Sequence, residues 1–398
     1  MSDMTPDEIM SLFMEAATRV SNPELVKWKA AGKKVVGHVC SHVPEEVVTA
    51  AGLLPYRLRG IEITSTAIGD TYFGPFICSC PKAILQNAGD GRLNFLDGAV
   101  MVQACDSMRR LDECWRKAAV EKSAHMPGFF HYFGVPHKVT DYSIQWFAEE
   151  IEKFAGEVER HFNVTISKDA LKKAIAVHNE TRSLLLRLEE LRFRDDPPLT
   201  GSQAMAMVLA STAMPKEIYN GLLKTLLEHL EAQPGIDLSG KLRILLAGSV
   251  VDDLALIEAI EHEGAYVSAD TVCFGARANQ GSVNESESVW LTLARHYLNE
   301  QFCPRMFGYT KDRFDLILKK YEDSKADGII FQNIRFCDLH GSENGLFEKR
   351  LEKGGIPAIR IEREYGSLAD EGRVRMRVGA FLETIAKGAG KQGGRRHA

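Results

Sequence analysis

Asp97-Gly98-Ala99-Val100-Met101-Val102-Gln103-Ala104-Cys105-Asp106 is a short apolar run that ends on Cys-Asp. The arrangement returns in the second half of the chain as Asp327-Gly328-Ile329-Ile330-Phe331-Gln332-Asn333-Ile334-Arg335-Phe336-Cys337-Asp338. Both runs are too short for a buried helix and show no alternation, the pattern of a strand covered on both faces, as in a parallel sheet with helical crossovers. Ligands of open α/β sheets bind beyond the carboxyl ends of the strands. The two thiols are therefore placed where a site between two facing lobes would form.

Around these runs, Lys33–Val39, Leu53–Leu58 and Phe130–Gly134 read as further strands of a first lobe, with a helix over Pro44–Ala51. From about Ser143 to Leu230 the apolar period changes to 3.6, as in Leu184, Leu185, Leu188 and Leu191. Asp195-Asp196-Pro197-Pro198 interrupts this helical stretch and Gln233-Pro234-Gly235 closes it. A second series follows, with strands at Lys241–Ala247, Ala265–Val272, Gly328–Gln332 and Ala358–Ile361 and helices at Asp252–Glu263, Glu343–Lys353 and Asp370–Lys387. The expected fold class is α/β, two doubly wound parallel-sheet lobes joined by a helical segment. Residues 1–142 form the N-terminal lobe carrying Cys78 and Cys105, residues 143–236 the helical linker, and residues 237–398 the C-terminal lobe carrying Cys337.

At 398 residues the chain exceeds what one hydrophobic core usually organises, and 45% hydrophobic with 26% charged residues is an ordinary globular balance. The net charge of −5 argues against a nucleic-acid surface. Only the tail from Lys387 to Ala398 is basic, and its glycines mark a frayed, solvated end. Apolar runs such as Ile244–Ala247 are far too short to span a bilayer, and Met1-Ser2-Asp3-Met4 lacks the start of a secretory signal, so a cytoplasmic protein without a membrane role is expected.

Eight cysteines in such a compartment are not a disulfide framework. No C-x-x-C occurs, which weighs against zinc ribbons and thioredoxin-type pairs. Soft thiolates suit an iron–sulfur cluster, and besides Cys105 and Cys337 a third comes from Phe76-Ile77-Cys78-Ser79-Cys80-Pro81, where either Cys78 or Cys80 opens a helix. Three thiolates around a [4Fe–4S] cube leave one iron open to a substrate, with about four irons per chain. Cys303 in Phe302-Cys303-Pro304 is the candidate fourth ligand, while Cys40, Cys114 and Cys273 read as packing residues.

Val36-Gly37-His38-Val39-Cys40-Ser41-His42-Val43-Pro44-Glu45-Glu46-Val47-Val48-Thr49-Ala50-Ala51-Gly52-Leu53-Leu54-Pro55 resembles the N-terminal signature of the 2-hydroxyacyl-CoA dehydratase D-component and benzoyl-CoA reductase subunit family. Phe76-Ile77-Cys78, Ala104-Cys105-Asp106 and Phe336-Cys337-Asp338 are similar to its three cluster-binding segments, and Gly372–Arg377 to its Arg-rich turn before the last helix. The resemblance implies a [4Fe–4S] cluster on Cys78, Cys105 and Cys337, and a sister subunit of the same family. It also implies an acyl-CoA substrate and a separate ATP-hydrolysing iron–sulfur activator that delivers single electrons. No phosphate loop or dinucleotide fingerprint occurs in this chain, as expected if the nucleotide belongs to that activator. The implied reaction is radical dehydration of a 2-hydroxyacyl-CoA through a ketyl. The alternatives are ATP-dependent ring reduction of the benzoyl-CoA reductase type and a non-catalytic electron-relay or structural subunit.

Ser41 and Glu46 lie beside the carboxyl end of the first strand and are the candidate hydrogen-bond donor and proton acceptor. The alternative is that Ser41 caps the following helix and Glu46 complements its dipole. His340, just beyond Cys337-Asp338, is the best placed of the histidines, ahead of His38 and His42.

Overall fold

The structure is a computed structural model that describes residues 4–284, 288–366 and 371–393. Two four-stranded, all-parallel sheets form its frame. The first comprises β1 (Val35–His38), β2 (Leu54–Arg57), β3 (Gly98–Val102) and β4 (Phe129–Phe133), in the order β2-β1-β3-β4. The second comprises β5 (Leu242–Gly248), β6 (Ala265–Asp270), β7 (Gly328–Ile334) and β8 (Ala358–Arg363), in the order β6-β5-β7-β8. The expected two α/β lobes are thus present with one shared topology. Every residue of β1 and β3 is buried, which is why these strands are apolar on both faces.

Helices α1 (Pro6–Thr18) and α2 (Pro23–Ala30) precede β1. Crossovers in the first lobe are α3 (Glu45–Ala50), then α4 (Ala67–Tyr72) with α5 (Ser79–Gly89), then α6 (Asp106–Val120). Between the sheets run α7 (Asp141–Phe162), α8 (Lys168–Phe193), α9 (Gly201–Ala210) and α10 (Lys216–Ala232). Thr140 and Thr200 close reciprocal capping boxes with Ser143 and Gln203, and Pro197-Pro198 separates α8 from α9 as read from the sequence. The second lobe adds α11 (Ala255–His262), α12 (Val289–Asn299), α13 (Thr310–Asp323), α14 (Asp338–Lys353) and α15 (Glu371–Gly393).

Each lobe's core takes in a helix from the other end of the chain. Phe13 of α1 packs on Tyr219 of α10 with ring centroids 5.2 Å apart, in a cluster shared with Leu223, Ile244 and Ile257. Leu293 and Tyr297 of α12 join the cluster that includes Val36, Val100 and Phe147. At the end of β5, Gly248 has φ 115°, and a Cβ there would stand 2.0 Å from the Gln332 carbonyl oxygen, so only glycine lets β5 turn away beside β7.

Four expectations change. The helix expected from Glu343 starts at Asp338, directly after Cys337, which turns the end of β7 into a helix N-terminus. The segment Gly372–Arg377 is not a turn but lies within α15, where Arg375 pairs with Glu263 at 2.6 Å and Arg377 reaches the Arg360 carbonyl. Lys387–Gly393 is helical rather than a frayed tail, while residues 394–398 lie outside the described residues. Pro44, not Ser41, is the N-cap of α3, with no side-chain capping bond. Among the described residues no helix is long and apolar enough to cross a membrane.

Candidate functional site

Cys78, Cys105 and Cys337 are the N-cap residues of α5, α6 and α14. All three line one cavity of about 120 Å³ between the sheets. It lies where the topology reverses in each sheet, since β1 neighbours β3 and β5 neighbours β7. Three helix N-termini, two from the first lobe and one from the second, thus direct free N–H groups and dipole ends toward a common space, an arrangement that favours anionic sulfur.

The cavity gathers more thiols than the sequence suggests. Cys40, Cys80, Cys273 and Cys303 also line it. Cys40 and Cys273 are therefore not packing residues: the turns after β1 and β6 bring them to the same carboxyl edges as the expected ligands. Cys114 does pack, with its Sγ 3.4 Å from the Tyr72 carbonyl. Cys80, in the first turn of α5, is buried among Cys78, Cys105 and Asp252.

Burial pushes the Cys105 thiol up, the neighbouring Cys78 acts in the same direction, and the Met108 amide opposes them. Burial likewise raises Cys337 to about 12 against the His340 amide. Deprotonation of these thiols therefore needs a cation, as metal ligation supplies. Cys273 is the exception. Burial raises its pKa, but Arg57 and Arg277 outweigh that and hold it below the usual thiol value. Arg57 Nη2 donates to Cys273 Sγ at 3.0 Å and Nη1 to the Cys273 carbonyl at 3.2 Å, while the guanidinium lies 3.7 Å over the Phe274 ring.

Arg57, Arg277 and Arg305 line the cavity, and among the described residues no Asp or Glu does. The Nε atoms of Arg57 and Arg305 are buried without a partner. Buried cations without counter-charge are costly, so the cavity fits an anionic occupant. No three His, Cys, Asp or Glu side chains of the described residues converge closely enough to hold a single metal ion. Thiols spread along a wall instead suit a polynuclear cluster, whose irons each take one thiolate.

Ser41 lines a smaller polar cavity of about 50 Å³ that shares Arg57 and Phe274 with the thiol cavity. Glu46 lines neither. Its carboxylate accepts from Arg182 at 2.6 Å and from the Tyr297 hydroxyl at 2.7 Å. Burial would raise its pKa, yet Arg182, with His178 and Tyr297, brings it down to about 2, so it is an ion-pair partner rather than a proton acceptor. The carboxylate on the polar cavity wall is its neighbour Glu45, paired with Lys216 at 3.0 Å and 3.4 Å from His38. Successive helix residues point about 100° apart, which separates the two roles.

His340 lines the thiol cavity, kept neutral by burial and by Arg277 and Arg313. Its Nε2 is 3.4 Å from Arg277 Nη1. His42 is fully buried, and burial with three nearby arginines lowers its pKa to about 3. Sequence reasoning missed the arginines. Arg57, a charge ending the apolar strand Leu54-Pro55-Tyr56-Arg57, carried a signal; Arg277 and Arg305 sit in irregular segments without one.

The profile of the family described as 2-hydroxyglutaryl-CoA dehydratase, D-component, matches residues 40–385. The chain belongs to that family. Within it, the chain is 25% identical to the (R)-phenyllactyl-CoA dehydratase beta subunit of Clostridium sporogenes, over 92% of this chain and 96% of that protein. It is 25% identical to a benzoyl-CoA reductase subunit of Thauera aromatica, over 90% and 93% respectively. The (R)-2-hydroxyglutaryl-CoA dehydratase beta subunit of Acidaminococcus fermentans is also 25% identical, over 91% and 95%. Membership of this enzyme family agrees with the resemblance read from the cysteine segments.

Proposed function

We propose that this chain is the iron–sulfur subunit of a 2-hydroxyacyl-CoA dehydratase, holding a [4Fe–4S] cluster on Cys78, Cys105 and Cys337. The observation that carries this reading is the convergence of three helix-capping cysteines, from both lobes, on one cavity. A cluster held there supplies single electrons at low potential and one iron without a protein thiolate. The helix N-termini and the buried arginines stabilise the negative charge that each added electron brings. A sister subunit, an acyl-CoA substrate and an ATP-hydrolysing activator complete the reaction, in keeping with the subunit names of the relatives. Full-length similarity to the benzoyl-CoA reductase of Thauera aromatica supports ring reduction as the second reading.

The test is anaerobic purification with iron and acid-labile sulfide analysis, followed by assay of 2-hydroxyacyl-CoA and benzoyl-CoA substrates with sister subunit and activator. Iron and sulfide in equal amounts, bleached by air, and enoyl-CoA formation are expected. Zinc in place of iron would overturn the redox reading; ring reduction alone would select the second.

A further inference from the structure

Three thiols in the cavity are left over once Cys78, Cys105 and Cys337 are assigned and Cys80 is placed inside α5. They keep company with one another. Cys40 interacts electrostatically with Cys273 and Cys303, while Cys105 does so with Cys78 and Cys337. The two groups adjoin, since Cys337 also interacts with Cys303 and Cys105 with Cys40.

The arginines belong to the leftover group. Arg277 interacts with Cys273, Cys303 and Cys40; Arg305 with Cys40, Cys303 and Cys105; Arg57 donates to Cys273 Sγ at 3.0 Å. Arg57 and Arg305 are 3% and 5% exposed, each with an Nε that finds no protein acceptor. A single cube on three thiolates carries about one net negative charge, too little for three buried guanidiniums with no carboxylate on the wall. Backbone geometry adds a second sign. Cys40 stands at φ 67°, a left-handed conformation that a non-glycine residue holds only where its surroundings impose it, and such residues concentrate at functional sites.

We propose that Cys40, Cys273 and Cys303 form a second iron-ligating thiolate set in the same cavity, so that the site holds more iron than the three helix-capping cysteines bind. Each ligation exchanges an S–H for an S–Fe bond and releases the proton to solvent. The three arginines balance the three added thiolates one for one. The inference rests on the iron–sulfur reading above but does not require any particular substrate.

The experiment compares iron and acid-labile sulfide per folded chain, with Mössbauer spectra of 57Fe-enriched protein, for wild type, a Cys40→Ser/Cys273→Ser/Cys303→Ser variant and a Cys78→Ser/Cys105→Ser/Cys337→Ser variant. Circular dichroism verifies folding, and the single variant Cys273→Ser replaces the first triple if that one does not fold. About eight irons in wild type and a two-fold lower content in the first variant are expected; for Cys273→Ser alone, a partial loss with an altered spectrum. Iron content and spectra unchanged by loss of Cys40, Cys273 and Cys303, or by loss of Cys273, overturn the second set while leaving the first intact. Absence of iron from wild type overturns the iron–sulfur reading itself.

Discussion

The hydroxyl of Tyr365, just past β8 in the second lobe, accepts the amide proton of Gly60, just past β2 in the first, at 2.7 Å. The same hydroxyl donates to Asp252, and a Cβ on Gly60 would stand 2.7 Å from the Tyr365 ring and 2.3 Å from the Ala83 Cβ. This seam closes the cavity on the side of α5. Gly60→Ala is expected to cost about 1–3 kcal/mol through overpacking, and Tyr365→Phe a similar amount by leaving the amide and the carboxyl unpaired. Urea unfolding measures both; wild-type midpoints would show that the seam does not hold the lobes.

Asp252 responds to pH. Burial, then the charge of Asp253, raises its pKa from 3.8 to about 6, against the opposing Tyr365 hydrogen bond. A carboxyl raised in the folded state favours folding while protonated, so its contribution is complete below pH 3.8 and is lost as pH rises through about 6. Asp252→Asn keeps an acceptor for Tyr365 and removes the titration. The stability of the variant relative to wild type should therefore increase from pH 4 to pH 7, read by thermal melting at each pH. A difference that stays constant over this window would place the charge elsewhere.

Glu46 behaves in the opposite sense. Its ion pair with Arg182 contributes stability that is present above pH 4.5 and lost as pH falls through about 2. Glu46→Gln at neutral pH leaves the buried guanidinium unpaired and should cost about 3–5 kcal/mol. Iron content per folded chain should stay at the wild-type value. Loss of iron without loss of stability would return Glu46 to the cluster.

Cys80 separates two neighbouring thiols. It lies inside α5 rather than at its cap, next to Asp252 and Tyr365. Cys80→Ala is expected to keep iron, while Cys78→Ala, Cys105→Ala and Cys337→Ala each lose it or hold it labile. Metal analysis of the four anaerobic preparations decides the assignment; the reverse pattern for Cys78 and Cys80 would exchange their roles.

The two runs ending in Cys105-Asp106 and Cys337-Asp338 were legible because burial on both faces leaves a strand no polar position, and because the carboxyl end of a parallel strand is where the chain must turn into a helix. The breaks at Pro197-Pro198 and Pro234 were legible for a local reason too, the missing amide of proline. Less was visible where partners are distant in sequence. Period and spacing report which way a side chain faces along its own element, and nothing about which other loop it meets. Cys40 and Cys273 therefore read as small hydrophobes, and Glu46 read as a base while its neighbour Glu45 has the place on the polar cavity. The two parallel-sheet lobes and the strand-ending thiols follow from the order of residues alone. That seven thiols share one electropositive cavity follows instead from the packing of α1 and α12 across the lobes, and from the guanidiniums of Arg57, Arg277 and Arg305 that they enclose with the turns, because Coulomb and packing forces act through space and not along the chain.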